Sequence, residues 1–106
     1  MITDLDENTF HKTILNSKGI ALVDFFATWC GACKQQLPII EELSNEMAEK
    51  ILIAKVNVDN SQNLAKIFKI TSIPTLIIFK DGKIAETMVG FHPKDRLISA
   101  IKNINK

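Results

Sequence analysis

The hydrophobic positions of this chain follow two patterns, near-continuous apolar runs and apolar residues spaced by three or four. The run "GIALVDFFA" at residues 19–27 is almost wholly apolar and rich in strand-forming residues. The run "ILIAKVNV" at residues 51–58 has the same character. Such runs are typical of strands buried on both faces, so we expect two central strands, the first of them parallel to a neighbour.

Four segments carry apolar residues at helical spacing, which predicts amphipathic helices. The longest extends from Gly31 to about Lys50, with apolar side chains recurring along one face. Shorter segments occupy residues 10–15, residues 64–68 and the region around residues 97–101. We expect these helices to cover the strands.

The segments "PTLIIF" and "KIAETMVG" predict a strand pair, because Asp81-Gly82 between them is a strong signal for a tight hairpin turn. The full order of elements is then β-α-β-α-β-α-β-β-α. This order predicts an α/β fold with a central mixed β-sheet of about five strands, flanked on both faces by about four helices. With 106 residues, the chain is expected to form a single domain over residues 1–106.

Charge and hydropathy argue against two classes of partner. The formal net charge is +1 and the charged residues are scattered, so the sequence lacks the basic stripe of a nucleic-acid-binding protein. The apolar runs fall far short of the roughly 20 residues that span a bilayer. The N-terminal "MITDLDENTF" lacks the basic start and apolar run of a signal peptide. We therefore expect a cytoplasmic protein that binds neither nucleic acid nor membranes.

Cys30 and Cys33 are the only cysteines, and they lie where a predicted strand gives way to a helix. A helix N-terminus offers unpaired N–H groups and positive dipole charge, which stabilise a thiolate. We expect Cys30 to be the exposed and more reactive thiol at this position. Cys33 lies about one turn later, close enough to attack a disulfide formed at Cys30.

Two other uses of the cysteine pair fit the sequence less well. A zinc site needs about four ligands, and the chain offers two cysteines and two distant histidines, so we predict no metal. A permanent disulfide would close only a very short loop and would add little stability. In a reducing cytosol, a cysteine pair is more often catalytic or metal-binding than structural. Redox chemistry is therefore the favoured function.

The segments "VDFFATWCGACK", "SIPTLIIFKDGK" and "MVGF" together resemble the thioredoxin family over essentially the whole chain. The resemblance implies the thioredoxin fold and a reductase of protein disulfides that acts by dithiol–disulfide exchange. In that scheme Cys30 is the nucleophile and Cys33 is the resolving thiol. The resemblance also implies that no cofactor is bound and that a flavin-dependent thioredoxin reductase uses NADPH to restore the dithiol. The implied partners are this reductase and disulfide-containing proteins, and we expect a monomer.

Asp24 interrupts the first apolar run, between Val23 and Phe25. These neighbours favour a buried carboxyl group over one that faces solvent, and burial raises the pKa of a carboxyl group. Asp24 also matches the buried acid of thioredoxins, which implies that it helps to deprotonate the resolving thiol, through water. Lys55 matches the lysine near that acid, whereas its own context predicts only a lysine at a strand edge.

The resemblance further implies a substrate site made of Trp29, Ile73, Pro74 and Gly90. Trp29 would shield the site, although a core aromatic residue is the simpler alternative. The Ile73–Pro74 bond would be cis and would leave the Ile73 backbone free to pair with a substrate strand, whereas a trans proline would only mark a strand start. Gly90 would leave room for the substrate chain. Pro38 is expected to kink the cysteine helix, because it cannot donate a hydrogen bond.

The chain departs from the commonest thioredoxin pattern near the cysteines. Ala32 stands where proline is usual, Phe26 where tryptophan is common, and Ser72 where glycine often precedes the Ile-Pro pair. Phe91 follows Gly90 where smaller residues are often found, which predicts a bulkier groove rim. These changes leave the mechanism intact and affect the reduction potential and the choice of partner.

Two alternatives to a reductase are compatible with the sequence. A thioredoxin-fold thiol oxidant or isomerase is permitted by the Gly31-Ala32 pair, although the N-terminal sequence argues against it. A non-catalytic binding module would use the groove only to hold a partner. Under the reductase hypothesis, we expect four residues to tune the reaction: Gly31, Ala32, Lys55 and Pro38.

Overall fold

The computed structural model describes residues 2–47 and 49–105. The elements in chain order are β1 (Thr3–Leu5), α1 (His11–Leu15, a short π-helix), β2 (Ile20–Phe26), α2 (Gly31–Met47), β3 (Leu52–Asn57), α3 (Gln62–Ile67), β4 (Thr75–Lys80), β5 (Lys83–Val89) and α4 (Lys94–Ile104). This order confirms the predicted alternation of strands and helices. The predicted order begins with a strand to which the sequence pattern assigns no residues, and the structure shows this strand as β1.

The strands form one mixed sheet in the order β1-β3-β2-β4-β5. β1 and β2 both pair parallel with β3, whereas β4 pairs antiparallel with β2 and with β5. β2 is the central strand, as its near-continuous apolar run predicts. The predicted mixed sheet of five strands is therefore confirmed.

The two faces of the sheet bury separate apolar clusters, because successive strand residues point to opposite faces. On one face Leu22 of β2 lies in a cluster with Ile40 of α2, and α4 contributes to the same cluster. On the other face Val23 lies in a cluster with Leu64 of α3 and with residues of α1. Helices therefore cover both faces, as predicted. By the same alternation, Asp24 lies on the face that α2 covers.

Two predicted boundaries can be compared with the structure, the C-terminal end of α2 and the turn between β4 and β5. The helix predicted to run to about Lys50 ends its described part at Met47, residue 48 lies outside the described residues, and residues 49–50 form a turn. The amides of Lys50 and Ile51 both donate to the Met47 carbonyl oxygen. The hairpin predicted at Asp81-Gly82 is confirmed, with φ of 52° and 81° at these residues, as a type I′ turn requires.

The sheet topology brings three loops together at one edge. β2 and β4 are antiparallel, so that Phe25 near the end of β2 pairs with Thr75 at the start of β4. Val89 at the end of β5 pairs with the same Thr75. The segments after β2, before β4 and after β5 therefore meet. They carry the cysteine pair, the Ile-Pro pair and Gly90.

Candidate active site

The two thiols lie where β2 leads into α2. Cys30 directly precedes the helix, and its Sγ accepts a hydrogen bond from the Cys33 N–H at 3.2 Å. The Cys30 thiol lies 3.7 Å from the Ile73 carbonyl oxygen, to which it donates. Both cysteines are free thiols. An N–H group of the first helical turn thus points at the Cys30 sulfur, an arrangement that stabilises a thiolate.

Cys30 is more buried than the sequence pattern predicts. Only 8% of its surface is exposed, against 4% for Cys33. Both pack with Ala27 in a small apolar cluster that Phe26 and Ile73 border. The loop before β4 lies against the start of α2, a tertiary contact that a local pattern does not reveal. The expectation of an exposed Cys30 is therefore wrong, because its sulfur lies against Ile73.

Cys33 is held as a protonated thiol. The pKa of this thiol is raised to about 12, mainly by burial, and the hydrogen bond with the Cys30 side chain and the charges of Cys30 and Asp24 act in the same direction. A hydrogen bond with the Ala27 backbone opposes the shift. Near neutral pH, Cys33 therefore needs a base before it can attack a disulfide.

Asp24 lies within β2 and is 1% exposed, as its apolar neighbours predict. Burial raises the pKa of its carboxyl group to about 7, and the positive charge of Lys55 opposes the shift. Its Oδ1 has no hydrogen-bond partner within residues 2–47 and 49–105. The alternative of a solvent-facing carboxyl group is therefore wrong. A carboxyl group with a pKa near 7 can accept and release a proton at neutral pH.

A cavity of about 330 Å³ joins Asp24 to Cys33 and Lys55. Its other lining residues are Phe26, Ala27, Thr28, Lys34 and Leu37. The volume admits several water molecules, each of which takes about 30 Å³ in the liquid. The Lys55 Nζ lies 3.7 Å from Asp4 Oδ1 and 5.5 Å from the centroid of the Phe26 ring. The cavity gives water a route between the Cys33 thiol and the Asp24 carboxyl group.

The loops before β4 and after β5 meet beside Cys30. The Ile73–Pro74 peptide bond is cis, and the Gly90 N–H donates to the Pro74 carbonyl oxygen at 2.7 Å. Gly90 has a φ of +87°, and apart from its chain neighbours no described atom lies within 4 Å of where a Cβ would sit. Phe91, the next residue, is 41% exposed. The surface where these loops meet therefore has open space at Gly90 and an aromatic side chain beside it.

Trp29 is 68% exposed, so the alternative of a core aromatic residue is wrong. Its Nε1–H donates to Asp59 Oδ2 at 2.8 Å, which orients the indole ring. A shallow cavity of about 340 Å³ lies between Trp29, Val58, Ile70, Ile73 and the residues of α3. Trp29 is thus an exposed aromatic side chain directly before Cys30.

The residues predicted to tune the reaction lie in α2 and beside the cavity. Gly31 and Ala32 form the first turn of α2, and Ala32 packs against the cysteine cluster. Lys55 lines the cavity of Asp24. Pro38 is exposed and lies about two turns further along α2, which continues past it. The kink expected at Pro38 stays a prediction.

Two side chains that the sequence analysis did not single out belong to the site. Asp59 is the hydrogen-bond partner of Trp29. Gln36 is fully buried and binds the backbone of the loop after β5. Each had a signal. The parallel strands β2 and β3 end at one edge, which places Asp59 near Trp29, and Gln36 is a polar residue on the face of α2 that carries Cys33 and Ile40.

The described residues offer neither a metal site nor a membrane-spanning helix. Across the two described ranges, no three side chains of His, Cys, Asp or Glu are grouped so that they could hold a metal ion. In that part of the chain, no helix is long and apolar enough to cross a membrane. The two thiols and the Asp24 carboxyl group lie at this edge of the sheet, and Lys34 and Lys55 line the same cavity as Asp24 and Cys33.

Comparison with known proteins places this geometry in a family. A sequence model of the thioredoxin family matches residues 1–103. A thioredoxin of Bacillus subtilis (strain 168) is 49% identical over 81 residues, which are 76% of this chain and 78% of that protein. Thioredoxin 2 of Chlorobaculum tepidum is 49% identical over 92 residues, 87% of this chain and 84% of that protein. A thioredoxin of Buchnera aphidicola is 40% identical over 105 residues, 98% of this chain and 97% of that protein. The chain belongs to the thioredoxin family and is a thiol–disulfide oxidoreductase.

Proposed function

We propose that the protein reduces disulfide bonds in other proteins, with Cys30 as the nucleophile and Cys33 as the resolving thiol. The observation that carries the proposal is the hydrogen bond of 3.2 Å from the Cys33 N–H to the Cys30 sulfur at the start of α2. This donor stabilises a thiolate, which is the form that attacks a disulfide. The raised pKa of Cys33 suits a thiol that reacts only after the mixed disulfide has formed.

In the first step the Cys30 thiolate attacks one sulfur of the substrate disulfide. A bond forms between this sulfur and Cys30 Sγ, the substrate S–S bond breaks, and the second substrate sulfur leaves as a thiolate that takes a proton from solvent. The groove of Ile73, Pro74 and Gly90 holds the substrate chain, with the Ile73 backbone available for strand-like pairing. Trp29 shields the reacting sulfurs from the other side.

In the second step Asp24 accepts the Cys33 proton through water in the shared cavity. The positive charge of Lys55 stabilises the Asp24 carboxylate, which is the form that accepts the proton. The Cys33 thiolate attacks Cys30 Sγ, the bond between Cys30 and the substrate breaks, and the substrate sulfur that was bonded to Cys30 leaves as a thiolate and is protonated. Two electrons have then passed to the substrate, and the chain holds a Cys30–Cys33 disulfide.

Turnover requires a reductant, because the dithiol supplies both electrons. A flavin-dependent thioredoxin reductase that draws on NADPH restores the dithiol, and the chain itself uses no bound cofactor. Membership of the thioredoxin family supports this reductase and disulfide-containing proteins as partners. A monomeric state, a cytoplasmic location and a single domain over residues 1–106 belong to the same proposal.

The test is the reduction of insulin by dithiothreitol with catalytic amounts of the protein. The parent should accelerate the reaction, and Cys30→Ser should not. Cys33→Ser should hold substrates in a lasting mixed disulfide, and the captured proteins then identify the substrates. A parent without any acceleration would favour the binding module instead.

The reduction potential separates a reductase from an oxidant or isomerase. The reference values are about −270 mV for thioredoxin, about −180 mV for protein disulfide isomerase and about −120 mV for the oxidant DsbA. Equilibration of the Cys30–Cys33 couple with glutathione should give a value near the first of these. A value near the other two would contradict the reductase.

A further inference from the structure

Gln36 is a polar side chain with no exposed surface, on the inner side of α2. A buried amide must find partners for both its donor and its acceptor, because an unpaired polar group in the interior is costly. Gln36 finds both on one residue. Its Nε2 donates to the His92 carbonyl oxygen at 2.9 Å, and its Oε1 accepts from the His92 N–H at 2.8 Å.

This pair of hydrogen bonds has the geometry of a clamp. One side-chain amide binds both backbone groups of one residue, so the His92 backbone is fixed in position and in orientation. The two residues are 56 positions apart in the chain, so the clamp is a tertiary contact between α2 and the loop after β5. Gln36 lies one helical turn after Cys33, so the loop is fixed to the helix that carries the thiols.

The clamp continues toward the substrate groove. The His92 ring Nδ1 lies 2.9 Å from the Gly90 carbonyl oxygen, and the Gly90 N–H donates to the Pro74 carbonyl oxygen at 2.7 Å. The adjacent Ile73 carbonyl oxygen lies 3.7 Å from Cys30 Sγ. An unbroken set of contacts thus runs from α2 through residues 90–92 to the loop that faces the nucleophilic sulfur.

We propose that Gln36 is a positioning residue that fixes the groove rim at residues 90–92 and thereby sets the preference for protein disulfides over small disulfides. The inference rests on the proposed function, because the groove must hold a substrate chain. A protein substrate needs the rim at Gly90 and Phe91 in place while it docks. A small disulfide needs only access to Cys30, so its reduction does not depend on the clamp.

The test compares Gln36→Met with Gln35→Met. Methionine is close to glutamine in length and lacks both hydrogen bonds. Gln35 is the exposed neighbour on α2, so its variant carries the same substitution outside the clamp. Steady-state reduction of a folded protein disulfide and of a small aromatic disulfide is measured for each variant, together with the urea midpoint of unfolding, and the assays are run well below that midpoint.

Gln36→Met should lower kcat/KM for the protein disulfide by about tenfold, the effect of losing two hydrogen bonds of ordinary net strength, and the loss should lie in KM. Its rate with the small disulfide should stay within about twofold of the parent. Gln35→Met should match the parent with both substrates.

Several outcomes would overturn the inference. Equal losses with both substrates would place the effect of Gln36 on the thiols, and no loss with the protein disulfide would make the clamp purely structural. A parent and a Gln35→Met variant that fail to reduce either disulfide would instead contradict the proposed function.

A separate measurement on the parent needs no variant: the His92 amide should exchange with solvent as slowly as the amides of α2, and fast exchange would refute the clamp.

Discussion

At the scale of single residues, burial decides where protons reside in this site. All three groups are buried, but the Cys30 sulfur accepts a hydrogen bond from an N–H of the first turn of α2, whereas Cys33 and Asp24 both hold their protons more tightly than usual. The two raised pKa values differ by several units, about 12 and about 7. This spread keeps Cys33 inactive as a nucleophile until a base acts on it, and it makes Asp24 the base within reach of the same cavity.

The first prediction concerns the relative reactivity of the two thiols. In the reduced protein at neutral pH, Cys30 should react with iodoacetamide at least about tenfold faster than Cys33, because alkylation requires the thiolate and Cys33 carries its proton. Mass spectrometry of peptides taken during a time course measures both rates. Equal rates, or faster labelling of Cys33, would contradict the assignment of roles.

The second prediction concerns the proton acceptor. Asp24→Asn should slow the release of the mixed disulfide by about 10²-fold, a typical contribution of a general base, and should leave the first attack by Cys30 unchanged. In the parent, release should become faster as the pH rises through about 7, where Asp24 loses its proton. Rapid-mixing kinetics separate the two steps. The exposed Asp95 of α4 supplies the control variant Asp95→Asn, and an unchanged release rate in Asp24→Asn would exclude this carboxyl group as the base.

At the scale of elements, the first turn of α2 sets how easily the dithiol is oxidised. The Ala32 N–H belongs to the helical turn whose amides have no intrahelical acceptor, so a proline would remove no helix hydrogen bond. The preceding Gly31 has no Cβ to clash with a proline ring. Alanine leaves the dithiol form with more backbone freedom than proline would, which favours the reduced state.

The third prediction follows from that freedom. Proline restricts the looser state by about 0.4–1 kcal/mol where it fits. Because about 1.4 kcal/mol corresponds to 30 mV in a two-electron couple, Ala32→Pro should lower the reduction potential by about 10–20 mV. Equilibration of parent and variant with the same glutathione buffer measures the difference. A potential that rises in Ala32→Pro would overturn the entropic explanation.

The fourth prediction concerns Gly82 in the hairpin between β4 and β5. Gly19, which directly precedes β2, provides the matched control. Both Gly19 and Gly82 have positive φ, 83° and 81°, which costs another residue about 1–2 kcal/mol. A Cβ at Gly82 would also lie 2.2 Å from the Leu15 carbonyl oxygen, whereas a Cβ at Gly19 would meet no described atom within 4 Å. Gly82→Ala should therefore lower the free energy of unfolding more than Gly19→Ala does. Urea denaturation measures both, and equal losses would show that the contact with Leu15 relaxes freely.

At the scale of the whole molecule, Asp24 couples stability to pH, and this coupling is the fifth prediction. Its pKa rises from an ordinary 3.8 to about 7 in the folded chain, so between these values the folded state binds more protons than the unfolded state. Stability contributed by this group must then fall as the pH rises from about 4 to about 7, by about 4 kcal/mol. The pKa of Asp6 is lowered from 3.8, so the contribution of Asp6 to stability changes mainly below that pH and not between about 4 and 7.

The free energy of unfolding of parent and Asp24→Asn should be measured by urea denaturation across this pH range. The variant cannot ionise, so the difference in stability between it and the parent should grow in its favour as the pH rises. The slope is the readout, because burial of an unpaired amide has a cost of its own that does not change with pH. A difference that is constant with pH would mean that Asp24 is not held in a protonated form.

Much of the fold could be predicted because each signal is local. The apolar run of residues 19–27 favours a buried central strand, and Asp81-Gly82 supplies the two positive φ angles of the hairpin. The site was also partly predictable, because the spacing of Cys30 and Cys33 at a strand-to-helix boundary is itself a chemical motif. The burial of Asp24 followed from its apolar neighbours in the same strand.

The sequence by itself thus determined the class of fold, the redox pair and its helix N-terminus, since these depend on periodicity and on residues a few positions apart. The tertiary structure decided what depends on distant segments: the burial of Cys30 beside Ile73, the exposure of Trp29 and its bond to Asp59, and the clamp between Gln36 and His92. The physical reason is that burial and hydrogen-bond pairing are properties of surfaces brought together by the parallel pairing of β2 with β3 and by the antiparallel return of β4 and β5. No local pattern states which side chain will meet which loop.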